Sequence, residues 1–262
     1  MQIEINNCSS PGASFTDNTN NVILSCYEWV VENNGVVKPF IEFRREVSKA
    51  KNFNDNNARN IYPLLQNFGF ISYQKGANLH YDRFFTNTGK AYAKMLQTER
   101  IIAHSSYGEN EKKQAIKKMQ YARETLIYQG LISLLFRECN YKKELLEFLQ
   151  FLIKFRKISK IEFSYLLFSL AQALDPDNVE RTIGQYRAGK LTIEVVVAVR
   201  NDIELREKTG DKKRKEDLSF LTSYSYFCGL LEQAGLIVKL DSSYYTIASG
   251  AEEKITKLLR GE

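Results

Sequence analysis

The sequence predicts a mainly α-helical protein with small β-hairpins, and three observations lead to this fold class. Apolar residues recur at helical spacing through most of the 262 residues. Short β-branched and aromatic runs follow Gly69 and Gly235 and are typical of hairpin strands. Only four prolines and no Gly/Ser tract interrupt the chain. The helical parts are therefore expected to pack directly against one another.

Residues 54–96 form the first of two stretches that define the architecture. Asp55 can accept hydrogen bonds from first-turn N–H groups, and Gly69 stands where a left-handed C-terminal cap is expected. Between them we predict a helix from about residue 56 to 67, which Pro63 kinks or confines to its second half. A hairpin and a closing helix follow, with these predicted parts: strand 70–73, turn 75–78, strand 79–85 and a helix that begins at Thr86.

Residues 230–259 repeat this order at the far end of the chain. Gly235 corresponds to Gly69, and the following Leu-Ile corresponds to Phe-Ile. We match Thr246 and Gly250 with Thr86 and Gly89. The separation is far longer than the period of a solenoid, so the repeat indicates two like modules joined by a connector.

Two further amphipathic helices precede the first hairpin. Residues 21–33 place Val22, Cys26 and Val30 on one face, and residues 39–51 combine an apolar face with a basic flank. Three helices followed by a hairpin is the order of a winged helix. We therefore predict two winged-helix subdomains and a helical linker subdomain, with these bounds: N-terminal arm and first subdomain 1–97, linker 98–157, second subdomain 158–262. The first twenty residues are polar and lack helical periodicity, which predicts disorder.

Local signals define the rest of the chain. Residues 98–157 are predicted helical throughout, and 141–155 are too apolar for a one-sided helix, which places them between the modules. Ser159 and Glu162 form a capping box. The remaining predicted helices are these: from the capping box to about 174, from Asp175-Pro176 to about 187, 192–208 in preference to a strand at its start, and 216–234.

Composition excludes several classes of function. The net charge of +6 and the pI near 9.0 fit a polyanion partner without requiring one. No apolar run reaches the roughly 18–20 residues needed to cross a bilayer, and no signal segment is visible, so we expect a cytoplasmic protein with no membrane partner. The four cysteines are scattered, and His80 and His104 are the only histidines. No metal site is predicted from this spacing.

Polar and basic residues of the predicted recognition elements are the candidate DNA-binding residues. Asn pairs bidentately with adenine and Arg with guanine, and both reach phosphates. The alternative for the first helix start is a solvated polar surface with no ligand. The candidates are Arg44, Lys49 and Lys51 on the basic flank, Asn56, Asn57, Arg59 and Asn60 at the helix start, Lys75, Asn78, His80 and Arg83 around the wing, and Lys212, Lys213, Arg214, Ser223 and Tyr224 in the second module.

Several segments carry a resemblance to a known family. They are the GF-I hairpin with its T-x-x-G helix, IS-K-IEFSYLLFSL, DNVERTIGQYR and SYSYFCGLLEQAGLIVKLDSSYYTIAS. Together they resemble the DNA-recognition region of type IIS restriction endonucleases of the FokI and AlwI kind, including related nicking endonucleases. The resemblance implies a monomer that binds double-stranded DNA, and a nuclease domain or subunit as partner. It also implies Mg²⁺ as the cofactor of that nuclease and none for this chain.

The family's nuclease domain is absent from the sequence. Glu111-Lys112-Lys113 and Glu252-Glu253-Lys254 have E-x-K spacing but lie on polar helices, and Val196 stands where Glu194 would need a lysine. We therefore assign no catalytic residue. Two other functions stay open: a free-standing winged-helix transcriptional regulator, which would bind a palindrome as a dimer, and a protein-interaction module.

Overall fold

A computed structural model describes residues 1–5, 11–73, 76–137, 139–197 and 220–262. These residues are mainly helical and contain three small sheets. The predicted fold class, mainly α with small β-sheets, is confirmed at this level. None of the helices in the described ranges is both long and apolar enough to span a membrane.

The first unit, residues 17–103, consists of helices around a small antiparallel sheet. After β1 (Gln2–Ile5), its elements are α1 (Asp17–Glu32), β2 (Val37–Pro39), α2 (Phe40–Ala50), α3 (Asp55–Ala58), α4 (Ile61–Asn67), β3 (Asn78–His80), a 3-10 turn (Tyr81–Arg83) and α5 (Asn87–Ala103). Strand β3 pairs with β2, and Phe85 at the end of the same segment bridges to Ile71. The segment 78–85 therefore lies between β2 and residue 71.

Pro63 explains why the helix predicted over 56–67 is two helices. Its ring has no N–H and would clash with the carbonyl of residue 59 in a continuous helix. The chain turns at Arg59 and Asn60, and α4 then accommodates Pro63 in its first turn, where no N–H is required. Gly69 ends the segment at φ +71°, as the sequence predicted.

The predicted hairpin of residues 70–73 and 79–85 is reduced to a single bridge. The Ser72 N–H donates to the Phe84 carbonyl, and the Thr86 N–H donates to the Phe70 carbonyl. Between these contacts and β3, the 3-10 turn interrupts the strand. The main partner of β3 is β2, which lies before α2 in the sequence.

Two long helices follow the first unit. They are α6 (Glu109–Phe136) and α7 (Lys142–Phe155). The stretch predicted as helical throughout is therefore not helical at 104–108, at 137 and at 139–141. Helix α6 packs on α5 and α4, whereas α7 packs against elements of the second sheet. Packing therefore groups α7 with the second unit, and the predicted boundary at 157/158 separates elements that are in contact.

The second unit, residues 142–260, has a three-stranded antiparallel sheet. After α7 its elements are β4 (Lys157–Ser159), α8 (Lys160–Ala171), α9 (Pro176–Arg187), β5 (Glu194–Val197), α10 (Phe220–Gln233), β6 (Ile237–Lys239), β7 (Tyr244–Ile247) and α11 (Glu252–Arg260). The strand order is β4-β7-β6. Strand β7 thus lies between β4, which precedes α8, and β6, which follows α10. In the first unit, segment 78–85 lies between β2 and residue 71 in the same way.

Local capping predictions in this unit are confirmed. The Ser159 Oγ accepts from the Glu162 N–H at 3.3 Å, and the Glu162 carboxylate accepts from the Ser159 N–H at 2.8 Å. Asp175 caps α9, with Pro176 at its first position. Residues 194–197, which we predicted as helix, form β5 instead, because β1 is available as a partner strand.

The two units share more sequence than the hairpins alone. Ile-Glu-Phe follows the first strand of each sheet, at 41–43 and 161–163, and Phe43 and Phe163 are both fully buried. Leu-Leu-x-x-x-Gly-x-Ile occurs at 64–71 and at 230–237. Gly235 takes φ +67°, close to the value at Gly69.

Hydrogen bonds correct one part of the predicted repeat. The Ala248 N–H donates to the Leu236 carbonyl, as Thr86 does to Phe70. Ala248 is therefore the counterpart of Thr86, and the predicted match with Thr246 is wrong. The reason is that Thr86 follows a 3-10 turn that β7 does not contain.

The N-terminal segment is ordered where the structure describes it, so the prediction of disorder is wrong there. Strand β1 pairs in parallel with β5 and packs on α8. Phe15 is 1% exposed and contacts the rings of Phe68, Phe70 and Tyr92. The segment is polar on average, but a few apolar side chains anchor it to the core.

Candidate nucleic-acid interface

The turn between α3 and α4 presents the predicted base-reading residues of the first unit. Arg59 and Asn60 are exposed there, as a reading role requires. The backbone of Asn56 and Asn57 lies in α3, and their side chains are outside the described part. Helix α4 itself buries Ile61, Tyr62, Leu64 and Leu65. The polar surface available to a ligand is therefore the turn, not α4.

Arg44 and Lys51, two of the predicted DNA-binding residues, are engaged in ion pairs with neighbouring helices. The Arg44 Nε donates to the Asp55 Oδ1 at 2.8 Å, which fixes α2 to the start of α3. This hydrogen bond holds the pKa of the Asp55 carboxyl below its usual value. The Lys51 Nζ lies 2.9 Å from Glu32 and 3.5 Å from Glu28, both on α1. Lys49, one turn from Arg45 on α2, is exposed.

The β3 segment exposes the candidates of the predicted wing. Asn78 and His80 point away from the core on either side of the buried Leu79. Arg83 is 80% exposed and lies 3.7 Å from the adjacent Asp82. Lys75 falls outside the described residues. Three of the four wing candidates are thus accessible to a ligand.

Ser223 and Tyr224, which we predicted as DNA contacts, lie in the core and not on the surface. Both side chains are 7% exposed. The Tyr224 hydroxyl donates to the Ile158 carbonyl at 3.1 Å, and its ring contacts Phe163 and Tyr245. They lie on the face of α10 that packs on α8 and the sheet. Lys212, Lys213 and Arg214 are outside the described residues.

Helix α9 carries exposed residues that sequence reasoning did not select. Asn178, Arg181 and Gln185 are exposed, and Ile183 is the buried residue of the helix. The Arg181 Nη2 donates to the Asn178 Oδ1 at 2.6 Å. A signal for this helix was present: Asp-Asn-x-x-Arg-x-Ile occurs at 55–61 and again at 177–183.

A buried arginine–carboxylate pair fixes α6 to the first unit. Arg123 on α6 binds Glu99 on α5 through two hydrogen bonds of 2.8 and 3.1 Å. Burial raises the pKa of the neighbouring Tyr92 to about 12, so its hydroxyl stays protonated and donates to Asn20 on α1. Asn20, Glu99 and Arg123 of this network line a polar groove of about 820 Å³ between α1, α5 and α6.

The thiols of Cys26 and Cys228 belong to the packed core and are not reactive groups. The thiols of Cys26 and Cys228 are buried, and burial raises the pKa of each to about 12, well above the range of a reactive thiolate. Within the described residues, no group of three or more His, Cys, Asp and Glu side chains is placed to hold a metal ion. Glu194 lies in β5 and is exposed.

Comparisons of the chain with protein-family models, with curated proteins and with solved structures find no match. The functional argument therefore rests on the chain's own residues and their arrangement.

Proposed function

We propose that the chain binds double-stranded DNA in a sequence-specific manner, and that each unit is a winged helix. The observation that carries the proposal is the repeated strand order. In each unit the strand between the first two helices pairs with a later segment, 78–85 or β7. That segment in turn contacts the residues after the glycine cap, through the single bridge at Ile71 in the first unit and through β6 in the second. Winged helices that bind DNA use the helix before the hairpin and the hairpin loop as contact elements, in the manner of helix-turn-helix proteins.

Exposed polar residues support the same function. Arg59 and Asn60 lie in front of the glycine-capped helix of the first unit, and His80 and Arg83 lie on the hairpin segment. Arginine and asparagine carry the donor and acceptor geometry for guanine and adenine edges, and arginine also binds phosphate. A net charge of +6 favours approach to a polyanion.

The resemblance to type IIS restriction endonucleases supports a more specific role. We propose that the chain is the recognition part of such an enzyme, or of a related nicking endonuclease, in the cytoplasm. It then acts as a monomer beside a nuclease domain or subunit that uses Mg²⁺. The quoted segments run from the first hairpin to Ser249, just before α11, so the proposed role draws on both units.

Selection of bound duplexes from a random library tests the proposal. Wild-type protein should enrich one short asymmetric sequence and protect it as a monomer. Arg59→Ala should reduce binding to that sequence by roughly 5- to 150-fold, and binding to unrelated duplexes much less. Lys49→Ala, an exposed cation on α2, serves as the contrast. It should weaken both duplexes alike and lower the salt slope by about one unit.

Three results would contradict parts of the proposal. Affinity that does not change with salt would exclude phosphate contacts. Equal losses on both duplexes with Arg59→Ala would make that residue a phosphate contact. A dimer on a palindrome would favour the transcriptional regulator over the endonuclease component.

A further inference from the structure

The heptad Asp-Asn-x-x-Arg-x-Ile occupies the same place in both units. It follows α2 at 55–61 and α8 at 177–183, after the helix that begins at the end of the first strand. The last residue of the heptad, Ile61 or Ile183, is buried in each case. Asn178 and Arg181 therefore correspond to Asn56 and Arg59.

The units differ in the residues that come after the heptad. In the first unit only Tyr62 and Pro63 separate it from the Leu-Leu of the glycine-capped helix. In the second unit, residues 184–229 separate Ile183 from the corresponding Leu-Leu at 230–231. Helix α9 includes the heptad and is twelve residues long. The polar surface that is a short turn in the first unit is thus a complete helix in the second.

One face of α9 carries three side chains able to read base edges. Asn178, Arg181 and Gln185 follow the spacing of three and seven residues that places side chains on the same helix face. All three are exposed, and the hydrogen bond between Asn178 and Arg181 holds the guanidinium over this face. Asn and Gln bind adenine, and Arg binds guanine, through paired hydrogen bonds.

The opposite side of α9 is fixed to the unit. The Arg187 Nε binds the buried Glu162 carboxylate at 2.6 Å, and its other nitrogens donate to the carbonyls of Phe155 and Lys157. Near the start of the helix, Glu180 pairs with Lys154 at 2.8 Å. The exposed face is consequently presented by a rigid helix, as precise recognition requires.

A basic strip runs beside α9 at the junction of α7, β4 and α8. It consists of Lys154, Arg156, Lys157 and Lys160, with no acidic residue between them in the sequence. Lys154 and Arg156 are 47% and 61% exposed, and each has one carboxylate partner. Lys157 lies over the ring of Tyr244 at 4.3 Å. Such a strip suits the backbone phosphates, whereas Asp175, Asp177 and Glu180 make α9 itself unsuited to phosphate contact.

We propose that α9 is the base-reading helix of the second unit, with Asn178, Arg181 and Gln185 directed at base edges of duplex DNA and the basic strip at the phosphates. The inference rests on the proposed function, but it assigns base reading to α9, which corresponds in sequence to residues 55–61, and not to α10, the helix directly before the hairpin. It extends that function by giving the chain two reading elements of unequal length, and therefore an asymmetric recognition sequence.

Arg181→Lys is the decisive variant, because it keeps the charge but removes the fork that pairs with guanine. On the duplex selected by wild-type protein, fluorescence anisotropy should show a loss of roughly tenfold or more, with unrelated duplex changed much less. In a repeated selection, Arg181→Lys should lose the preference for one base pair of the sequence. Arg59→Lys should keep the preference at that same base pair. Arg260→Lys, an exposed arginine on α11, is the matched control and should select the wild-type sequence.

Lys160→Ala tests the basic strip separately. It should weaken selected and unrelated duplexes by the same factor and lower the salt slope by about one unit. Circular dichroism of each variant establishes that the helices are intact before binding is compared.

Different results would contradict the proposed DNA binding and the assignment of α9 as the reading helix. If wild-type protein enriches no duplex, the proposed function itself is wrong. If wild-type protein enriches a sequence and Arg181→Lys selects it with unchanged affinity, then α9 does not read DNA and only the present inference is overturned.

Discussion

Replacing Arg187 by alanine should destabilise the second unit strongly. The Glu162 carboxylate is 0% exposed, and Arg187 supplies its only positive partner among the described residues. Without the guanidinium, the carboxylate keeps the Ser159 N–H at 2.8 Å, while the carbonyls of Phe155 and Lys157 each lose a donor. Breaking a buried pair from one side costs about 3–5 kcal/mol.

The lower end of that range is expected, because the Arg187 side chain is 23% exposed and water can replace part of its contacts. We predict a loss of about 3 kcal/mol in the free energy of unfolding, on the scale of one-sided breaks in buried pairs. At about 2–4 °C per kcal/mol for chains of this size, the melting midpoint should fall by roughly 6–12 °C. Urea and thermal unfolding followed by circular dichroism measure both quantities.

A double-mutant cycle separates the ion pair from the packing of the arginine side chain. Glu162→Gln removes the charge that Arg187→Ala leaves uncompensated, so the double variant should be more stable than the sum of the two single losses by at least about 1 kcal/mol. A loss below about 0.5 kcal/mol for Arg187→Ala would place the pair in the range of surface salt bridges and refute the reasoning.

Three further changes test other contacts. Gly89→Ala would place its Cβ 1.9 Å from the Phe70 carbonyl oxygen, so the melting midpoint should fall. The control is Gly184→Ala, whose Cβ would meet no atom within 4 Å. An equal fall in the control would contradict the clash as the cause. Phe15→Ala should lose about 3–5 kcal/mol in urea unfolding, whereas a similar loss for the exposed Tyr107→Ala would show that burial is not the cause. Arg44 holds the pKa of Asp55 below its ordinary value of 3.8, so the pair contributes stability above that pH, and this stability is lost as the pH falls further. Arg44→Ala should make the acid side of the stability curve shallower, and an unchanged curve would exclude this linkage.

The sequence was informative where the interacting groups are close in the chain. The capping box at Ser159, the cap at Asp175 and the left-handed glycines at 69 and 235 all depend on neighbours within a few residues. Pairing of β2 with β3 and of β1 with β5 depends on tertiary proximity, which no local pattern encodes. For this reason the hairpin of the first unit was mispredicted, and so was the start of the helix predicted over 192–208, where residues 194–197 form β5. Residues 198–208 lie outside the described part of the chain.

For the candidate site, too, the sequence predicted features that depend on near neighbours in the chain and not those that depend on tertiary packing. Exposure of Arg59 and Asn60 followed from the polar helix start, and the break between α3 and α4 followed from Pro63. The pairing of Arg44 with Asp55 depends on the angle between α2 and α3, which the sequence does not specify. The burial of Tyr224 depends on the phase of α10, which its apolar neighbours Phe227 and Leu231 would have indicated. DNA binding by Arg59 and Asn60 stays a prediction.

The pairing of β1 with β5 has a consequence for the time course of folding in the cell. Met1 and Thr192, which hydrogen-bond at the head of this strand pair, are separated by 191 positions. At about 5–20 residues per second, synthesis completes residues 2–5 roughly 10–40 s before β5 exists. The first unit has all its elements long before then, because its last helix ends at Ala103. Contacts this distant in sequence form late, so β1 should join β5 after the helices of both units have packed. Pulse-labelled hydrogen exchange would show protection of residues 2–5 lagging behind that of α1, and the parallel strand pair would then act as the final closure of the molecule.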